Sequence, residues 1–150
     1  MLKNFLVITL AVLTLASCSK DKNDTPAYSL SAKIDGTAQA FNTGVAAQKD
    51  GYASTGYSVA IAGTAGTTSS PYPTLILSIE SDAPVVAKTY TATAFEAGGI
   101  YATDASTLLT SDTDFTITVT SITDTDVRGT FSGKIDAKVV SEGAFSAKFQ

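Results

Sequence analysis

Asp112 and Asp114, set two apart, are the first positions in this chain whose type and spacing could do chemistry. On a strand, side chains two apart point to one face. A turn at 123–126 would fold the next strand back so that residue 135 lies roughly opposite 114. Asp136 would then reach the same end of the hairpin. Three carboxylates gathered there could ligate Ca²⁺, which takes about six to eight oxygens. Two of them could instead serve as an acid/base pair on a glycoside. The plainer reading makes them solvated turn acids, offset by Lys134 and Lys138. Asp124 and Asp126 sit at the other end of the hairpin, about 30 Å away at roughly 3.3 Å per residue, and cannot join them.

Aromatic rings are the second possible handle, because a sugar can stack on an exposed one. Tyr72, held between Pro71 and Pro73 in a loop, is the best candidate, and Tyr52, Tyr57, Tyr90 and Tyr101 could contribute. A tyrosine more often buries its ring and hydrogen-bonds its hydroxyl, and the chain has no Trp.

Much other chemistry is excluded by what is missing. The 150 residues include no His and one Cys. A Ser-His-Asp triad, a Cys-His dyad, a His-ligated zinc and an intrachain disulfide are therefore impossible. Gly129 to Lys134 approaches a phosphate loop, but the spacing is one residue short and Ile135 follows the lysine where the motif needs Ser or Thr. A net charge of −4 argues against a nucleic-acid partner. No cofactor is implied.

The elements that would have to position these residues are strands. Apolar and polar residues alternate along Tyr28–Ile34, Tyr57–Gly63, Leu75–Glu80, Phe115–Ser121, Val127–Ile135 and Phe145–Phe149, a period of two. Asp35-Gly36 is a strong hairpin signal, with Ala38 to Phe41 returning. Lys49-Asp50-Gly51 and Ala97-Gly98-Gly99 read as turns, Thr89 to Phe95 as a strand, and Ile100 to Leu109 as irregular. Thr, Ala and Ser make up 61 of the 150 residues. The abundant threonine suits pleated, half-wet surfaces. The pattern predicts an all-β domain over 28–150, an antiparallel sandwich of about 7–10 strands, with a closed up-and-down, lipocalin-like barrel as the alternative. The expected core is Leu30, Ile34, Phe41, Val59, Ile61, Leu75, Leu77, Ile79, Phe115, Ile117, Val119, Phe131, Phe145 and Phe149.

Residues 1–17 have the form of a signal peptide. Lys3 precedes an uncharged, mostly apolar run, Phe5 to Leu15. As a helix that run is about 16 Å long, too short for a bilayer core of about 30 Å. Leu15-Ala16-Ser17-Cys18 resembles the lipobox of bacterial lipoproteins. The resemblance implies cleavage before Cys18, acylation of its thiol and attachment to a membrane. With two or three acyl chains that anchor is stable. Ser19 in place of Asp implies the outer membrane. Ser-Lys-Asp-Lys-Asn-Asp at 19–24 resembles the charged export signals of surface lipoproteins in the Bacteroidota, though it mixes Lys with Asp; surface and periplasmic orientation both stay open. Residues 18–27 read as the lipidated cysteine and a short flexible tether of about 17 Å r.m.s. span.

Ser31-Ala32-Lys33-Ile34-Asp35-Gly36, Gly129-Thr130-Phe131-Ser132-Gly133 and Glu142-Gly143-Ala144-Phe145-Ser146 resemble a group of small β-rich Bacteroidota lipoproteins over most of 28–150. The Trp that commonly follows the first hairpin in that group is absent, and Phe41 is expected in its place. The resemblance brings no catalytic residues. Together these readings lead to an envelope lipoprotein with a non-enzymatic β domain that binds a partner or ligand, or is structural. A glycan- or surface-ligand-binding accessory module is the alternative, and a carboxylate-based hydrolase a remote one.

Overall fold

The computed structural model describes residues 28–150 except 53–55 and 68. The signal peptide, Cys18 and the tether therefore lie outside the described residues. Eleven strands follow in order: β1 (Ser29–Ile34), β2 (Thr37–Ala40), β3 (Thr43–Tyr52), β4 (Gly56–Thr64), β5 (Thr74–Ser81), β6 (Thr89–Thr91), β7 (Ala97–Ala102), β8 (Leu108–Thr110), β9 (Thr116–Ile122), β10 (Asp126–Ile135) and β11 (Lys138–Lys148). A single 3-10 turn, Ala92–Ala94, joins β6 to β7.

The strands form two antiparallel sheets. One has six strands in the order β2-β1-β11-β10-β9-β6, the other five in the order β3-β4-β5-β7-β8. The sheets pack as a sandwich and do not close, so the barrel alternative does not hold. The strand count exceeds the expected range by one because the middle of the chain is more regular than its composition suggests. Ala97-Gly98-Gly99 is not a turn but the start of β7, and part of the supposedly irregular 100–109 belongs to β7 and β8. Lys49-Asp50-Gly51 likewise stays within β3. Thr89 to Phe95 is a strand only as far as Thr91.

Each residue of the expected core is buried. The alternation along the strands is what puts them there, since every second side chain enters the space between the sheets. Ala47, Tyr90, Tyr101, Val127, Ile135 and Val140 join them. Phe41 is fully buried and meets Tyr101 edge-on, with ring centroids 6.1 Å apart. Phe115, Phe131 and Phe145 form a row with centroids 6.3 and 6.5 Å apart. Two of these rings lie over cross-strand glycines: Phe131 pairs with Gly143 and Phe145 with Gly129. A Cβ at either glycine would run into the partner's ring.

The two tight hairpins of the six-stranded sheet dock on each other. Asp35 and Gly36 turn β1 into β2 with φ of 50° and 79°, a left-handed pair that Asp-Gly accommodates. The Asp35 amide donates to the Val139 carbonyl at 2.8 Å. Its carboxylate accepts from the Val139 amide at 2.9 Å and from Lys138 Nζ at 3.2 Å. The Val139 amide and the Lys138 ammonium hold the Asp35 carboxyl below its ordinary pKa.

Candidate functional site

Among the described residues, two of the depressions in the five-stranded half of the molecule bear on function. The larger is an open cleft of about 810 Å³ at one end of the sandwich. Tyr57 and Val59 of β4, Val85 and Val86 of the β5–β6 connection, and Ile122 at the end of β9 make its apolar lining. Val86 is half exposed, and its backbone is fixed from below. The Val86 amide donates to the Tyr90 hydroxyl at 2.8 Å, and that hydroxyl donates back to the Val86 carbonyl at 3.0 Å. Lys49 crosses the rim, 3.8 Å from Asp124 and 4.8 Å from the centre of the Phe149 ring. The C-terminus is tied in here, Gln150 donating its amide to the Ala47 carbonyl at 3.0 Å.

The chain enters the described domain at the same end. Ser29 pairs with Ser146, which pairs with Arg128, so β1 begins beside the start of β10. The Tyr28 phenol faces Asp126, and that carboxylate, as its hydrogen-bond partner, raises the phenol's pKa. The Thr125 hydroxyl, and then the phenol, lower the Asp126 carboxyl's.

The smaller depression, about 370 Å³, lies on the outer side of the five-stranded sheet. Ser78, Glu80, Gly98, Ser111, Asp112 and Phe95 line it. Phe95 caps the 3-10 turn at φ 59° and ψ 23°, in the left-handed region, and 89% of it is exposed. Both volumes fall in the range of small-ligand sites, about 300–1,000 Å³.

The residues singled out in the sequence are dispersed. Asp114 Oδ1 accepts from the Lys134 amide at 3.1 Å, and Asp136 sits in the β10–β11 turn at φ 53°. Asp112 faces the Phe95 groove instead. β9 does not reach back to these acids: residues 112–115 form a turn, the Phe115 amide donating to the Asp112 carbonyl at 3.1 Å, so Asp112 and Asp114 do not share a strand face. Among the described residues no three acidic, His or Cys side chains form a group that could hold a metal ion. Tyr72 is half-buried in the β4–β5 loop and lines neither depression. Tyr90 and Tyr101 are core residues, Tyr101 donating its hydroxyl to Gln39 Oε1 at 3.1 Å. Only Tyr57 reaches a depression, and the side chain of Tyr52 lies outside the description.

The aromatic that sequence reasoning missed is Phe95. Its signal was the Gly-poor stretch Thr91-Ala92-Thr93-Ala94-Phe95, which reads as alternating strand. The Thr91 hydroxyl instead accepts from the Ala94 amide at 3.3 Å and starts a turn.

No protein-family model, curated protein or solved structure matches the chain.

Proposed function

We propose that this is a lipid-anchored protein of the cell envelope, held at the outer membrane through Cys18, whose β-sandwich is a non-enzymatic binding module. The observation that carries the binding reading is the end cleft, apolar in its floor and charged at its rim. Such a surface recognises a ligand or partner by apolar burial with a few polar contacts for orientation. The chain enters the domain beside that cleft, so a short tether keeps the cleft within reach of the membrane.

The non-enzymatic part of the proposal rests first on the residue types, since without His the chain can build no Ser-His-Asp triad or Cys-His dyad. Among the described residues the core contains no buried polar or charged side chain. Proton transfer at neutral pH relies on groups whose pKa values burial or neighbours have tuned. The shifted carboxyls here, Asp35, Asp104 and Asp126, are all lowered by hydrogen bonds from neighbouring amides, hydroxyls and, at Asp35, a lysine. Among the described residues no helix is long and apolar enough to cross a membrane, so the anchoring reading rests on the lipid.

The test is metabolic labelling with an alkyne palmitate analogue, followed by membrane fractionation. The wild-type protein should label and sediment with the outer membrane. Cys18→Ser should do neither. A Cys18→Ser protein that still labels and sediments would end the lipid-anchor reading.

A further inference from the structure

We propose that the Phe95 groove on the outer side of the five-stranded sheet binds an uncharged pyranose glycan, with the Phe95 ring as stacking platform and the Glu80 and Asp112 carboxylates as hydroxyl acceptors. The proposal deepens the binding-module reading by naming a ligand class and a second surface. It does not depend on the lipid anchor.

The backbone at Phe95 is the starting point. The other positive-φ residues are Gly36, Gly44, Gly56 and Gly133, with the polar Asp35, Asp136 and Glu142. Glycine is free there, and short polar side chains are tolerated. Among the described residues Phe95 alone brings a large apolar side chain to such a position. It gains nothing from burial in return, being 89% exposed. The local turn does not need a ring: the Phe95 amide bonds the Ala92 carbonyl at 3.0 Å and the Glu96 amide the Thr91 carbonyl at 3.0 Å, backbone contacts any residue could make. An exposed ring maintained at a conformational cost is a candidate recognition element.

The groove beside the ring has the other half of the chemistry. Among the described residues, the carboxylates of Glu80 and Asp112 take part in no ion pair or side-chain hydrogen bond. Glu96 is already committed to Lys88 at 3.0 Å. The Ser111 hydroxyl accepts from the Gly99 amide at 2.9 Å, which leaves its own proton free to donate. Gly98 opens the floor: a Cβ there would come within 2.7 Å of Ser78 Oγ. A pyranose offers an apolar C–H face for the ring and equatorial hydroxyls for the carboxylates. The uncompensated negative charge selects against uronates, sulfated sugars and phosphosugars, since like charges brought together oppose binding.

The test uses the full-length protein, solubilised in detergent, in native affinity gels containing a neutral glucan, a neutral mannan or polygalacturonate. A neutral polysaccharide should retard the wild type, and polygalacturonate should not. Phe95→Ala should lose at least tenfold in affinity and Phe95→Tyr should keep it. Gly98→Ala, which fills the floor against a rotatable serine hydroxyl, should also weaken binding. Circular dichroism of each variant checks the fold, and membrane fractionation checks the anchor separately. No retardation by either neutral polysaccharide overturns the proposal. So does retardation that survives Phe95→Ala, a preference for polygalacturonate, or retention of a lysine-rich peptide in place of both glycans.

Discussion

The outer faces of the two sheets are built from different residues. Across the six-stranded sheet one transverse row runs Thr89, Thr118, Thr130, Ala144 and Ser31. Lys33, Arg128 and Lys134 stand in neighbouring rows, and Lys33 pairs with Glu142 at 2.7 Å. The matching row of the five-stranded sheet runs Ala46, Ala62, Ile76, Ile100 and Thr110. The first face is a wet surface of β-branched hydroxyls, with direct cross-strand bonds such as Thr89 to Thr118 at 2.9 Å. The second is more apolar. Both depressions draw part of their linings from the five-stranded sheet. A sandwich needs only its inner faces to hold together, so the two outer faces are free to differ in composition.

The largest expected effect tests the inner side of this contrast. Phe131→Ala should cost about 3–5 kcal/mol in chemical denaturation, because the ring is buried between Phe115 and Phe145. Thr118→Ala, on the outer face of the same sheet, should stay within about 0.5 kcal/mol. Comparable losses would mean that the threonine face is structural after all.

A smaller effect separates the two outer faces. Ile76→Thr replaces a half-buried ethyl group of the apolar row with a hydroxyl and should cost about 1 kcal/mol, at roughly 0.8 kcal/mol per fully buried methylene. If Ile76→Thr proves as neutral as Thr118→Ala, the faces differ in composition only.

Phe95→Gly goes the other way. Relieving a left-handed phenylalanine should stabilise the fold by about 0.5–1 kcal/mol, a rise in Tm of a few degrees for a domain of this size. Differential scanning calorimetry reads it directly, and a fall in Tm would show that the ring supports the fold.

The weakest effect concerns Asp35, at the edge of the wet face. Its carboxyl titrates below the ordinary value because the Val139 amide and Lys138 favour the charged form. The stability it contributes is therefore present above the unfolded pKa near 3.8 and is lost as pH falls through the lower folded value. Asp35→Asn should flatten the acid limb of the Tm–pH curve and leave the curve's shape near neutral pH unchanged. An unchanged acid limb would count against the docked hairpins.

How far the sequence could be read depended on what its glycines were for. The alternating segments were legible, and the buried phenylalanines and branched residues followed from them. β7 was not, because Ala97-Gly98-Gly99 has the composition of a turn. Gly99 is in fact a seat for the Phe115 ring, whose Cζ would lie 2.9 Å from an added Cβ. Gly51 misled in the same way: it stays in β3 and lies under Tyr57, its cross-strand partner. A glycine seat depends on a ring arriving from another strand, which no local window contains. Asp112, Asp114 and Asp136 failed to converge because the chain turns at 112–115 instead of continuing as a strand, so the two-residue side-chain period does not hold there. Phe95 was invisible because a strand-like residue occupies a glycine-like conformation.

The pairing of β1 with β11 also bears on when this domain can form. The first strand lies between β2 and the last one, and Leu30 finds Phe145 only after nearly the whole domain has been made. Contacts so distant along the chain are slow to close. The six-stranded sheet therefore stays open until the final strand arrives, and the chain remains threadable for as long as its C-terminal end is being delivered.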